Sequence, residues 1–197
     1  MMKLFDKWES TGIQVEDPGL IRYITLDPVL VPKTGGKNAS NQFWKSKYHI
    51  VERLINKLMG PGHKGKKHKL TSGHCGGKGI TSYITVEKTF TLIEKRTKLN
   101  PIAVFVKAIE NAAPKEEITT IEYGGARYPK AVEMSPQRRI DYVLRLMTQG
   151  AYAASFGKKK KIEEALADEI IKAYNGDNIS IALSKKLELE RQSDASR

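Results

Sequence analysis

Residues 100–140 read NPIAVFVKAIENAAPKEEITTIEYGGARYPKAVEMSPQRRI, and this stretch decides the fold. Asn100-Pro101 is a favourable helix start, because Asn caps free backbone N–H groups and Pro fits the first turn. Apolar residues then recur at helical spacing as far as Pro114. From Ile118 to Glu133 the spacing changes to alternation around Gly124-Gly125. The stretch therefore predicts a helix followed by a β-hairpin.

Helical spacing continues on both sides of this unit. Ser135-Pro136 repeats the cap-and-proline start, and Asn175-Gly176 closes a later helical stretch. The predicted helices run from about Lys45 to Met59, Tyr83 to Thr97, Pro101 to Pro114, Pro136 to Tyr152, Ile162 to Asn175 and, as a candidate sixth, Ile179 to Gln192. A lone two-stranded ribbon in such a protein has too few partners to form a core sheet, so we expect it to project from the body. The fold class is thus mainly α, with five or six helices, one projecting hairpin and an extended N-terminal arm.

The arm comprises residues 1–44, which are neutral overall and carry turn signals such as Asp17-Pro18-Gly19 and Gly35-Gly36. Residues 45–197 form the predicted helical domain, with the hairpin at about 118–133. We expect the larger apolar residues of the arm to pack on this domain, and stacking on bases is the alternative. These residues are Phe5, Trp8, Ile21, Tyr23, Ile24, Leu26, Phe43 and Trp44.

The charge of the chain is positive and unevenly distributed. In 197 residues, 34 Lys and Arg oppose 22 Asp and Glu, for a net charge of +12. Residues 45–80 hold nine basic residues against one acidic residue, and residues 118–161 hold nine against three. Such clustering indicates a partner rich in phosphate, because Lys and Arg bind nucleic acid by displacing condensed counterions. A well-solvated basic surface is the alternative.

Several protein classes are disfavoured by the sequence. The single cysteine, Cys75, leaves no internal disulfide and fits a reducing compartment. The longest apolar run, residues 102–106, is far too short to span a membrane. Asp6 and Glu9 lie where a signal peptide would be basic and then apolar. We therefore expect a cytoplasmic protein that is not anchored in a membrane.

The segment from His63 to Lys69, HKGKKHK, is the strongest local candidate for RNA binding. It concentrates hydrogen-bond donors, and its glycine lets the backbone approach phosphates closely. A solvated loop is the alternative. The repulsion between its like charges would be relieved by bound RNA.

Three further features are typical of RNA contact. The hairpin tip, Gly124–Tyr128, offers a cation and an aromatic ring that could stack on a base. Arg138 and Arg139 begin the fourth helix, and Lys158–Lys161 follow its end, where positive charge also suits the helix dipole. The complete set of candidate RNA-binding residues is Lys64, Lys66, Lys67, Lys69, Lys78, Arg127, Tyr128, Lys130, Arg138, Arg139, Lys158, Lys159, Lys160 and Lys161.

Other chemistry finds less support in the sequence, and no catalytic residue or cofactor is predicted. His63, His68, His74 and Cys75 are residue types that bind zinc, but they lack the paired spacing of structural zinc sites. A Cys/His nucleophile would need an orienting carboxylate, which this stretch lacks. A helical DNA-binding regulator would need an exposed recognition helix and usually a dimer. Whether the His/Cys cluster binds a metal stays open.

From Lys45 onward the chain resembles the small-subunit ribosomal protein seven family, in the form found in archaea and eukaryotes. The segments that carry the resemblance are Tyr48–Met59 (YHIVERLINKLM), Asn100–Glu117 (NPIAVFVKAIENAAPKEE), Tyr123–Pro129 (YGGARYP), Ser135–Ile140 (SPQRRI) and Ala165–Ile171 (ALADEII). They span roughly three quarters of the chain. The region from Gly60 to Gly79 aligns with the family least closely, so its proposed contacts rest on charge.

The resemblance implies a structural protein without catalysis. Such a protein binds the 3′ major domain of small-subunit ribosomal RNA and supports assembly of the subunit head among neighbouring small-subunit ribosomal proteins. The hairpin and the carboxyl-terminal helix would lie near the messenger RNA exit path and the exit-site transfer RNA. The resemblance also implies that Arg127 and Tyr128 occupy the hairpin tip and that Arg138 and Arg139 face RNA.

Overall fold

A computed structural model describes residues 2–36, 40–60 and 75–197 of the chain. Six α-helices and one antiparallel β-hairpin follow one another in this part of the chain, and short 3-10 turns occur at Ile21–Tyr23 and Trp44–Lys47. The elements are α1 (Ile50–Leu58), α2 (Gly79–Thr97), α3 (Pro101–Ala112), β1 (Glu116–Tyr123), β2 (Ala126–Glu133), α4 (Pro136–Ser155), α5 (Ile162–Asn175) and α6 (Ile181–Asp194). The predicted mainly α fold is confirmed.

Helix α3 and the hairpin form as the local sequence predicts. The Asn100 side chain accepts a hydrogen bond from the Ile102 N–H at 3.0 Å, which caps α3. The two strands pair in register from Glu116 opposite Glu133 to Tyr123 opposite Ala126. Gly124 and Gly125 join them with φ of 58° and 83°, a backbone region that suits glycine.

The core is organised around α5, which packs against α2, α3 and α4. Leu166 and Ile170 of α5 are fully buried at the centre of a single apolar cluster. Helix α6 lies against α4 and the base of the hairpin. The Ala131 N–H donates to the Ser196 carbonyl, and Arg197 binds Glu116, so the chain following α6 braces the hairpin.

The amino-terminal segment packs on the helices through the residues near its start. Phe5 and Trp8 are buried, and the Trp8 ring meets the Phe90 ring at a centroid distance of 5.9 Å. The Trp8 indole N–H also donates to Glu94 at 3.0 Å. The expectation of packing is wrong for Phe43, Ile21 and Trp44, which are 63%, 52% and 39% exposed. Their side chains lie on the surface of the 3-10 turn regions.

Two helix starts differ from the sequence expectation. Helix α1 begins at Ile50, after the 3-10 turn, because the His49 side chain accepts a hydrogen bond from the Val51 N–H and caps the helix. Helix α2 begins earlier than expected, at Gly79. The first turns of α2 are stabilised by tertiary packing, which buries Ser82 and Thr85.

The candidate sixth helix is present as α6, which Ser180 caps by accepting a hydrogen bond from the Leu183 N–H. Within the described ranges, no helix combines the length and apolar character needed to cross a membrane.

Candidate nucleic-acid interface

The hairpin presents three of the predicted residues to solvent. Tyr128 is 57% exposed and lies opposite Ile121. Lys130 shares its face, because side chains two positions apart in a strand point the same way. Arg127 lies on the other face, 3.5 Å from the Glu122 carboxylate. The hairpin therefore offers the Tyr128 ring and the Lys130 ammonium on one face, and the loosely paired Arg127 guanidinium on the other.

Tyr123 belongs to the same exposed face and is absent from the sequence-based set. Its side chain is 82% exposed, and it lies two positions along β1 from Ile121, the partner of Tyr128. The sequence could have identified Tyr123 as a candidate, since a tyrosine lies on each side of the two-glycine turn. We define the hairpin surface as Tyr123, Arg127, Tyr128, Lys130 and the adjacent Arg138.

The two arginines at the start of α4 have different environments. Arg138 is exposed, and its Nε and one terminal nitrogen donate to the same oxygen of Glu117 at 2.9 and 2.7 Å. Arg139 is buried. Its Nε donates to the Pro114 carbonyl at 2.9 Å, and a terminal nitrogen donates to Asp17 at 2.7 Å. The burial of Arg139 argues against the expected RNA contact and indicates that it holds elements of the fold together.

Asp17 shows how firmly this arginine is held. Burial raises the pKa of the Asp17 carboxyl, but the hydrogen bonds from Arg139 and from the Gly19 N–H outweigh burial and hold the pKa below its ordinary value. Asp17 therefore stays ionised, and its charge is matched by the guanidinium inside the protein.

The connection between α4 and α5 carries the predicted lysine run. Lys158, Lys159 and Lys161 are exposed, whereas Lys160 binds the Asp168 carboxylate beside Arg96. Burial raises the pKa of Asp168, yet the hydrogen bonds from Lys160 and Arg96 prevail and lower it. Three of the four lysines are therefore available to a ligand, and Lys160 has a structural ion pair.

Lys78 lies at the same end of the molecule. It precedes α2, is exposed, and lines an apolar cavity of about 260 Å³ together with Phe156 and Ile162, which bracket the lysine run. We define the lysine end as Lys78, Lys158, Lys159 and Lys161. The predicted cations Lys64, Lys66, Lys67 and Lys69 and the three histidines His63, His68 and His74 lie outside the described residues.

The hairpin surface and the lysine end lie beyond opposite ends of α4. That helix has the 20 residues Pro136–Ser155, so it is about 30 Å long at a rise of about 1.5 Å per residue. Basic groups spaced this far apart match a large polyanion better than a small anionic ligand.

A third group of cations, absent from the sequence-based set, lies at α1. Lys45, Arg53 and Lys57 surround the single carboxylate of Asp141. Burial raises the pKa of Asp141, but these cations outweigh burial and lower it. The sequence feature that could have predicted this group is the spacing of Arg53 and Lys57, which lie four residues apart and therefore on one face of a helix.

The described residues give no support to a metal centre, since no three His, Cys, Asp or Glu side chains among them are arranged to hold an ion. Cys75 is exposed and unpaired with another cysteine.

Comparisons with known proteins agree with the resemblance carried by the sequence. The family model described as "Ribosomal protein S7p/S5e" matches residues 21–197. A protein of Nanoarchaeum equitans (strain Kin4-M), described as "Small ribosomal subunit protein uS7", is 56% identical over 196 residues, which cover 100% of this chain and 99% of the relative.

Two further relatives have the same description. The protein of Methanothermobacter thermautotrophicus is 48% identical over 192 residues, with 97% of each chain covered. The protein of Methanothrix thermoacetophila is 45% identical over 196 residues, with 100% of each chain covered. Similarity at this level over whole chains extends to the amino-terminal segment as well as the helices.

Proposed function

The chain belongs to the ribosomal protein S7p/S5e family, and from this premise we propose that it binds small-subunit ribosomal RNA as a structural component of the small ribosomal subunit. The family is one of structural ribosomal proteins, and we propose no catalytic role. The relatives named above are described as small-subunit proteins. Their description supports the same place of action for this chain.

The observation that carries the proposal is the separation of two exposed basic surfaces by the length of α4. The lysine end and the hairpin surface together present cations and stacking rings on different sides of one rigid helical body. Such an arrangement holds two RNA segments at a fixed distance through phosphate and shape contacts. Backbone contacts of this kind position RNA without reading its sequence.

The finer proposals concern where the protein acts. We propose that it binds the 3′ major domain, supports assembly of the head among neighbouring ribosomal proteins, and places its hairpin near the messenger RNA exit path and the exit-site transfer RNA. We propose that the protein acts in the cytoplasm, as part of the ribosome. We also propose that residues 1–44 act as an arm and residues 45–197 as the RNA-binding domain, to which Lys64, Lys66, Lys67 and Lys69 contribute.

The test is RNA binding as a function of salt. A full-length variant with Lys158, Lys159 and Lys161 each replaced by Gln is titrated with a transcript of the 3′ major domain. Because each lost phosphate contact removes about 0.9 from the slope of log affinity against log salt, we expect the slope to fall in magnitude by about 2 to 3. Lys160 is left unchanged because it stabilises Asp168.

The matched control removes the same charge elsewhere. Lys3, Lys33 and Lys95 are exposed and lie outside both basic surfaces, so replacing all three by Gln should change the slope much less. Equal effects of the two triple variants would show that net charge alone governs binding. Tighter binding to duplex DNA of equal length than to the transcript would contradict the proposal.

A further inference from the structure

A cavity of about 430 Å³ lies between residues 41–45 and α1, away from the two basic surfaces. Tyr48 lines it, together with residues that carry hydrogen-bond donors, which are Asn41, Gln42, Lys45, Arg53, Asn56 and Lys57. A volume in this range is typical of sites for small organic ligands and exceeds what a single phosphate needs.

Arg53 forms the floor of this cavity and has unused donor capacity. Its side chain is 1% exposed. One terminal nitrogen donates to the Tyr23 carbonyl at 3.1 Å, and the other donates to Asp141 at 3.2 Å. Its Nε is buried and has no partner among the described residues. A buried donor without a partner costs about 1–3 kcal/mol, so Arg53 holds its positive charge beneath the cavity at a cost to stability.

The charges around the cavity also favour an anion. Lys45 and Arg53 both bind Asp141, so that one carboxylate is shared. Lys57 has no ion pair within the described part of the chain. Burial lowers the pKa of the Lys57 ammonium, and although Asp141 raises it, Lys45, Arg145 and Arg53 lower it further. In the described part of the chain, the charges that act on Lys57 are therefore those of three other cations and of the Asp141 carboxylate.

We propose that this cavity binds one nucleotide of the ribosomal RNA, with its backbone phosphate held by Lys45 and Lys57 above the buried positive charge of Arg53. The amides of Asn41, Gln42 and Asn56 supply both donors and acceptors, which suits the edge of a base that is turned out of its stack. This inference rests on the proposed function and adds a third, enclosed contact to the two open surfaces.

The experiment uses the full chain and a transcript of the 3′ major domain. Lys57→Gln removes one phosphate contact, so we expect about tenfold weaker binding and a salt slope smaller by about one. Asn56→Asp keeps the side-chain size and adds a negative charge at the exposed mouth, and we expect a larger loss of affinity. Arg53 is left unchanged because its side chain is buried, so replacing it would destabilise the fold as well as change the cavity.

Lys95→Gln is the control, because Lys95 is exposed near the far end of α2. Gly79 starts α2 beside Met59, close to the end of α1, and Lys95 lies about 24 Å further along the helix at about 1.5 Å per residue. We expect its replacement to leave binding within about twofold. Thermal unfolding of each variant shows whether the fold is preserved.

The outcomes separate the two proposals. If the unaltered chain fails to bind the transcript, the proposed function fails, and the cavity assignment fails with it. If the unaltered chain binds while Lys57→Gln and Asn56→Asp bind equally well, only the cavity assignment is overturned. A parallel titration with inorganic phosphate tests the source of the anion. Weakened phosphate binding with unchanged RNA binding would also overturn the assignment.

Discussion

Replacing Arg139 by Met should destabilise the protein without weakening RNA binding directly. The guanidinium connects three parts of the chain, since it extends from α4 to the Pro114 carbonyl and to Asp17. Met fills a similar volume but leaves a buried carbonyl and a carboxylate without their donor. The variant therefore separates a structural arginine from an RNA-binding one.

The size of the expected loss of stability follows from the burial of the ion pair. Removing one partner of a buried ion pair costs about 3–5 kcal/mol. The Asp17 side chain is 24% exposed and still accepts a hydrogen bond from the Gly19 N–H. Water can therefore replace part of the contact with the guanidinium, and we expect a loss of stability at the lower end of that range, about 3 kcal/mol. For a chain of this size, about 2–4 °C per kcal/mol gives a fall in Tm of about 6–12 °C.

The assay is urea denaturation followed by circular dichroism, together with binding to the RNA transcript. Arg138→Met is the matched control, because Arg138 is adjacent in sequence but 59% exposed, and losing a surface pair costs about 0.5 kcal/mol. A double-mutant cycle with Asp17→Asn should give a coupling of about 1 kcal/mol or more. An Arg139→Met protein that unfolds at the normal urea concentration but binds RNA poorly would refute the reasoning.

Three further predictions concern the fold. Burial lowers the pKa of His49 to about 4, so the unfolded chain binds more protons between pH 4 and 6.5, and stability should fall by up to about 3 kcal/mol as pH decreases through that range. His49→Asn keeps a capping acceptor, and urea titrations should show a flatter pH profile; an unchanged profile would contradict this. Leu166→Ala should cost about 3 kcal/mol in the same assay, because the side chain is fully buried. Glu169 accepts hydrogen bonds from the Ser180 hydroxyl and the Ala182 N–H at the start of α6. Glu169→Gln should therefore cost about 1 kcal/mol by removing a negative charge at a helix N-terminus, and a variant as stable as the unaltered chain would contradict this.

The hairpin and α3 could be predicted from sequence because their determinants are local. Asn100-Pro101 and Gly124-Gly125 fix a helix start and a turn through backbone preferences that neighbouring residues already impose. Helix α2 was placed too late because Gly, Ser and Thr are weak helix formers in isolation. Its first turns are stabilised by contacts with distant parts of the chain.

The candidate site was predicted less completely, since accessibility depends on the tertiary fold. Arg138 and Arg139 are adjacent and chemically identical, yet one is exposed and the other is buried against Asp17. The cavity at α1 was missed for the same reason, because Lys45 and Arg53 meet Asp141 only after α1 and α4 pack together. Charge clustering predicts the class of ligand, whereas residue roles require the packed structure.

The hydrogen bond between Arg139 and Asp17 joins residues 122 positions apart in the chain. During translation, Asp17 is therefore synthesised well before its partner. At about 5–20 residues per second, a newly made Asp17 waits about 6–24 seconds before its partner has been synthesised. Phe5 and Trp8 likewise wait about 4–17 seconds before Phe90, the ring on which both pack, has been synthesised. The apolar residues of the segment made first are therefore exposed on the nascent chain until the helices that cover them have followed.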